Sequence, residues 1–119
     1  MYNQSAEDYL EGLLLLSQEN EFVHRVDLAR KIGVSQPAVQ KAVKILKAQD
    51  YVETDGLHIY LTGKGQNYAE RIYDRHCTLK EFLKKLGVDS ANAETDACRI
   101  EHVISDVSFS AIKKFTEKK

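Results

Sequence analysis

Asp27–Asp50 reads DLARKIGVSQPAVQKAVKILKAQD, and the two aspartates that close it are its only acidic residues. Arg30, Lys31, Lys41, Lys44 and Lys47 all lie between them. This is the clearest charge asymmetry in a chain whose net charge is −1, so any affinity for a polyanion has to be local. Val26, Leu28, Ala29 and Ile32 give the first part of the stretch a short helical stripe. Gly33-Val34-Ser35 then reads as a tight turn. Ser35 can cap a second helix, with Pro37 in the first turn, where a missing N–H costs nothing. At about 100° per residue, Val39, Ala42, Val43 and Leu46 fall on one arc, with Ala38 and Ile45 at its edge. Gln36, Gln40, Lys41, Lys44 and Lys47 fall on the other. The apolar arc must dock on neighbours. The opposite arc carries only amides and cations, where an ordinary surface helix mixes in Glu or Asp; that composition suits phosphates and base edges.

Upstream, residues 5–18 read as an amphipathic helix. Ser5 is the candidate cap, Asp8 follows three residues on, and Leu10, Leu13 and Leu14 continue one face. Downstream, the period changes over residues 51–61. Tyr51-Val52-Glu53 and Leu57–Leu61 flank Thr54-Asp55-Gly56, and Asp-Gly between β-prone runs is a hairpin signal. Helix, helix, turn, helix, hairpin is the winged helix-turn-helix order. Thr62 then caps a long helix, about 63–86, which ends at Gly87. Its later part carries Leu79, Phe82, Leu83 and Leu86, more apolar surface than a short chain easily covers, which points to a subunit interface. Helices over 90–104 and 108–117 follow, the last with Phe109, Ile112 and Phe115 on one side. The predicted class is mainly α: an N-terminal winged helix-turn-helix with a small β-hairpin wing, then an α-helical dimerisation domain.

Composition removes several classes. The longest apolar run, Leu13–Leu16, is four residues, far short of the ~20 a membrane span needs. The start, MYNQSAEDYLEG, has no basic segment followed by an apolar one, so no secretory signal is expected. Two cysteines, Cys77 and Cys98, are too few for a disulfide framework and read as reduced thiols of a cytoplasmic protein.

The run ACRIEH places Cys98, Glu101 and His102 at spacings i, i+3 and i+4. On a helix these share one face. A thiolate, a carboxylate and an imidazole together make half of a transition-metal site.

With these residues in view, the chain resembles the diphtheria toxin repressor family of metal-dependent transcriptional regulators. It is closer to the short manganese transport regulator branch than to the long iron-repressor branch. The resemblance runs over nearly the whole chain, through SAEDYLE, GVSQPAVQKAVKIL, LTGKG, RHCTLKEFL and DACRIEHVISD. It implies a winged-helix DNA-binding domain over residues 1–72 and a helical metal-binding and dimerisation domain over 73–119. The third, SH3-like domain of the long branch has no counterpart before Lys119. It also implies a metal site made of Asp8, Glu11, His76, Cys98, Glu101 and His102. Cys98 departs from the manganese branch, which has a carboxylate there, and agrees with the iron branch. Asp8 stands where the iron branch has methionine, so the ligand set is a hybrid. Lys80 and Glu94 depart from the carboxylate and histidine of an iron-branch ancillary site.

Taken alone, Asp8 and Glu11 fit a favourable placement against the helix dipole, and a lone His76 fits a structural histidine. Together, three helices offer oxygen, nitrogen and sulfur donors, a mix suited to a first-row divalent ion. Asp8, Glu11 and Glu101 favour Mn2+ or Fe2+. Cys98 raises affinity for Fe2+, Co2+ and Zn2+. The residues leave Fe2+ and Mn2+ both open, with Zn2+ or Co2+ able to bind in vitro. Cys77, about 100° from His76 on one helix, reads as a packing residue. The expected mechanism is a homodimer in which metal pins the two halves and fixes the spacing of two recognition helices on double-stranded operator DNA. A coupling of ~1–3 kcal/mol, equal in both directions, is typical. The expected DNA contacts are Ser35, Gln36 and Pro37 at the helix start, Gln40 and Lys41 on base edges, and Lys44 and Lys47 on phosphates. Arg25, Thr62 and Lys64 are weaker phosphate candidates, and His58 on the wing meets the DNA backbone or nothing. Rival readings are a winged-helix regulator sensing oxidation through Cys98 or Cys77, and a constitutive DNA-binding protein. An enzyme using Glu101 as base lacks any nucleophile or phosphate loop.

Overall fold

A computed structural model describes residues 6–118. Six helices and one hairpin follow in order: α1 (Ala6–Glu19), α2 (Arg25–Ile32), α3 (Gln36–Ala48), β1 (Val52–Asp55), β2 (His58–Leu61), α4 (Gly63–Lys85), α5 (Ser90–Ile100) and α6 (Asp106–Glu117). The chain divides into two compact units, one extending to Glu70 and the other starting at Arg71, so the boundary falls inside α4.

In the first unit α1 packs on α2, α3 and β2. Leu10, Leu13, Leu28, Val23, Val39, Val52 and Ile59 are fully buried there. Burying each such side chain contributes ~1.5–3 kcal/mol, and this core fixes how α3 is presented. Gly12 lets α2 close on α1, since a Cβ there would stand 3.3 Å from Leu28 and Ile32 side chains. The turn before α3 follows from local chemistry. Gly33 ends α2 at φ 82, and its N–H donates to the Ala29 carbonyl at 2.8 Å. The Ser35 hydroxyl accepts from the Ala38 N–H at 3.2 Å, so both helix ends are satisfied within three residues. The expected cap Ser5 lies outside the described residues.

The hairpin is tighter than its composition implies. Thr54 and Asp55 belong to β1, Asp55 pairs with His58, and the turn is Gly56-Leu57. Gly56 takes φ 62, the positive value a two-residue hairpin turn requires at its first central position. Val23 and His24 join the wing as well: the Ile59 N–H donates to the Val23 carbonyl at 2.8 Å, and His24 bridges His58. Thr62 caps α4 as expected, its hydroxyl accepting from the Gly65 N–H at 3.0 Å. Gly65 lies so close to the Tyr51 carbonyl that a Cβ would meet its oxygen at 1.8 Å.

In the second unit Asp89 caps α5 and Ser105 caps α6, each accepting from the backbone N–H three residues on. The expected helix over 90–104 is shorter. It ends at Ile100, and residues 101–103 form a turn, because Ser105 must adopt extended backbone to cap the next helix. Its cap starts α6 at Asp106, two residues earlier than the periodicity predicts. Of the apolar surplus on α4, Leu79 is buried, and Phe82 meets Phe115 of α6 edge to face at 6.0 Å. Leu86, Val103, Val107 and Phe115 remain exposed. Cys77 is exposed within the chain rather than packed, which corrects the expectation for it.

Candidate metal centre and nucleic-acid interface

Glu101 caps the C-terminus of α5 with αR backbone, so the helical phase of ACRIEH continues one residue past the helix itself. Its N–H still donates to the Ala97 carbonyl at 3.0 Å. The thiol of Cys98, a carboxylate oxygen of Glu101 and a ring nitrogen of His102 therefore lie within 4.8 Å of one another. The Glu101 side chain is 0 % exposed, and among the described residues neither of its oxygens has a hydrogen-bond partner. His76 Nδ1 stands 3.5 Å from one oxygen and His102 Nε2 3.5 Å from the other.

A buried carboxylate without hydrogen bonds is costly. Two imidazole nitrogens within reach of it yet beyond hydrogen-bonding distance are also unusual. Both features fit a cation between the donors: atoms ~2.1 Å from one ion stand roughly 3.0–3.4 Å apart at octahedral or tetrahedral angles. The residues present thus fit a divalent transition metal. Asp8 and Glu11 stand one turn apart on α1, both half-buried. In the second unit the structure brings Cys98, Glu101 and His102 together and sets His76 against the other oxygen of Glu101; in the first it keeps Asp8 with Glu11.

Two supports of this cluster were not among the expected site residues. Arg75, beside His76 on α4, donates to the Ile104 carbonyl at 3.1 Å, pairs with Asp106 and lies 5.1 Å over the Phe109 ring. It fastens the turn that carries Glu101 and His102. Glu94 on α5 contacts His76 Nε2 through one oxygen and Lys80 through the other, both at 2.9 Å. The Lys80 ammonium beside it holds the Glu94 carboxyl below the usual carboxylate range.

On the other surface, Gln36, Pro37, Gln40, Lys41, Lys44 and Lys47 of α3 are all exposed, as is Ser35 at its cap. Val39, Val43 and Leu46 are buried on the reverse face, so the division of the wheel holds in space, with Ile45 left exposed at its edge. Lys47 donates to the Thr54 hydroxyl on β1 at 3.1 Å, tying recognition helix to wing. Arg25 is half-buried at the start of α2. Two of the weaker phosphate candidates, Lys64 and Thr62, and His58 on the wing are engaged internally. Lys64 donates to the Gln49 carbonyl and lies over Tyr51, Thr62 donates to the Asp50 carbonyl, and His58 packs edge to face on Phe22.

Family models match both halves: the iron dependent repressor N-terminal DNA binding domain over residues 1–57, and the iron dependent repressor metal binding and dimerisation domain over 62–118. The chain belongs to the iron-dependent repressor family. An HTH-type transcriptional regulator of Methanocaldococcus jannaschii is 38% identical over 98% of this chain and 95% of its own length. The transcriptional regulator MntR of Escherichia coli O6:H1 is 34% identical over 94% of the chain and 73% of its own. The solved structure of the manganese regulator SloR superposes with a TM-score of 0.86 at 34% identity, covering 96% of this chain and 54% of that one. A manganese-dependent transcriptional repressor in complex with manganese gives 0.85 at 30%, covering 94% and 52%. The chain spans about half the length of these solved structures. Membership of the iron-dependent repressor family makes the protein one of the metal-dependent transcriptional regulators and disfavours the thiol-redox alternative. Among the described residues no helix is long and apolar enough to cross a membrane.

Proposed function

We propose that this chain is a homodimeric, cytoplasmic, non-enzymatic repressor that binds double-stranded operator DNA when Fe2+ or Mn2+ occupies the Glu101 cluster, and that it controls metal homeostasis. The observation that carries this is the Glu101 carboxylate: fully buried, without a hydrogen bond, and set between two imidazole nitrogens at 3.5 Å. His76, Cys98, Glu101 and His102 hold the metal, and Asp8 and Glu11 on α1 complete the set. A bound divalent ion supplies the positive charge that neutralises Glu101. Residues 1–72 read DNA, and residues 73–119 bind metal and dimerise. Asp8 and Glu11 lie on the helix against which α2 and α3 pack, so constraint on α1 passes to the recognition helix through a close-packed core. Ser35, Gln36 and Pro37 enter the major groove first; Gln40 and Lys41 meet base edges; Lys44, Lys47 and Arg25 meet phosphates. The three carboxylates favour Mn2+ and Fe2+, and the Cys98 thiolate favours Fe2+ over Mn2+, with Zn2+ and Co2+ binding in vitro.

The test is binding to duplexes selected from a random DNA pool, titrated against Mn2+, Fe2+ and Zn2+, with Cys98→Glu in parallel. Metal is expected to raise DNA affinity about 5–150-fold, and Cys98→Glu to shift the preference toward Mn2+. If no metal alters DNA affinity while peroxide does, the metal reading is wrong.

A further inference from the structure

His76 is held by more than its place on α4. Its side chain is 8% exposed. Nε2 lies 2.9 Å from Glu94 Oε1, and Nδ1 faces Glu101 Oε2 at 3.5 Å. Glu94 is committed at both oxygens, since Oε2 lies 2.9 Å from the Lys80 ammonium. His76 and Lys80 are one turn apart on α4, so the Glu94 carboxylate spans two consecutive rungs of that helix. Glu94 also lies one turn before Cys98 on α5, which places this bracket and the thiol ligand on one helix face. The Tyr73 ring lies nearly parallel to the His76 ring, 11° apart with centroids at 6.4 Å.

We propose that Glu94, fixed by Lys80, sets the tautomer and ring orientation of His76 so that Nδ1 presents its lone pair to the metal. The inference rests on the metal-binding reading above. A carboxylate has no proton to give, so a hydrogen bond to it requires the proton on Nε2. In a neutral imidazole the other nitrogen is then the free donor atom. A carboxylate on the distal nitrogen of a ligating histidine also raises its basicity, and its loss typically weakens metal affinity 10–100-fold. Glu94 and Lys80 are positioning residues: neither faces the Glu101 oxygens. Lys80 supplies a cation that holds Glu94 aimed at α4, where an exposed glutamate would otherwise sample many rotamers.

The experiment joins two readouts on the full chain. Nitrogen-15 NMR of the metal-free protein at pH 8 reports the His76 tautomer. Competition with a chelator reports Mn2+ and Zn2+ affinity. Wild type is expected to show the Nε2–H tautomer, Glu94→Ala a mixture with 10–100-fold weaker metal binding, and Glu94→Gln, whose amide oxygen still accepts, a partial recovery. Lys80→Met should fall between wild type and Glu94→Ala. An Nδ1–H or doubly protonated ring in wild type overturns the proposal, as does Glu94→Ala with unchanged tautomer and affinity. A wild-type chain that binds neither metal overturns the metal reading instead, whatever the tautomer.

Discussion

The two units bury different things. The first buries large aliphatic side chains: Leu10, Leu13, Leu28, Val23, Val39, Val52 and Ile59. In the second, Leu79 is the one comparably large side chain that is fully buried among the described residues; Ala93 and Ala97 are small, and the three buried polar residues of the described chain, His76, Glu101 and Thr116, all lie there. Apolar burial is favourable without any partner. Burial of a carboxylate is favourable only when something compensates its charge. The first unit is thus self-sufficient in its core, whereas the second buries a carboxylate whose charge the proposed metal would compensate.

The largest expected effect tests the reader's core. Leu28→Ala removes a side chain 1% exposed between α1 and α2 and should cost ~2–5 kcal/mol of unfolding free energy, read by urea denaturation. A cost below ~1 kcal/mol would mean that the first unit is not held by its apolar core, and the contrast would collapse.

Next comes Glu101→Gln, which keeps the shape and removes the charge. Metal affinity should fall at least about 100-fold, or ~2.8 kcal/mol. Mn2+ at a hundred times the wild-type Kd should stabilise wild type by ~2.7 kcal/mol and the variant by no more than ~0.4 kcal/mol. Without metal, Glu101→Gln should melt no lower than wild type, because a buried amide costs less than a buried carboxylate. A clear drop would show that His76 and His102 already neutralise Glu101 as an ion pair, making the second unit as complete as the first.

Ser35→Ala tests the local grammar of the reader. It deletes the hydroxyl that accepts from the Ala38 N–H and should cost ~1 kcal/mol in thermal unfolding. This is the kind of feature that was legible from Asp27–Asp50 alone, since a cap, a positive-φ glycine and an apolar arc are decided by residues within one turn of each other. ACRIEH was legible for a related reason. The hydrogen-bonded helix ends earlier than its periodicity implies, yet Glu101 keeps αR backbone, so the i, i+3, i+4 geometry survives. The hairpin turn was displaced because Thr54 and Asp55 are turn-forming by type, whereas their place in β1 is set by pairing with Ile59 and His58 across the sheet. The bracket of Glu94 on His76 and Lys80 joins residues 18 and 14 positions apart on two helices, and no local pattern carries that.

The smallest effect separates two lysines that a helical wheel makes equivalent. Lys44 and Lys47 both lie on the exposed arc of α3, but only Lys47 is bonded to the wing, at Thr54. A lysine that neutralises one phosphate on binding should steepen the salt dependence of DNA affinity by a slope of about 0.9. Lys44→Ala should therefore lower the slope of log K against log salt by about that amount in the metal-loaded protein. Lys47→Ala should lower it less, because its ammonium is spent holding wing to helix; its cost should appear as weaker binding at every salt concentration. Equal slope changes would mean that DNA draws Lys47 away from Thr54. The wing-to-helix bond of the free protein would then be exchanged for a phosphate contact on binding.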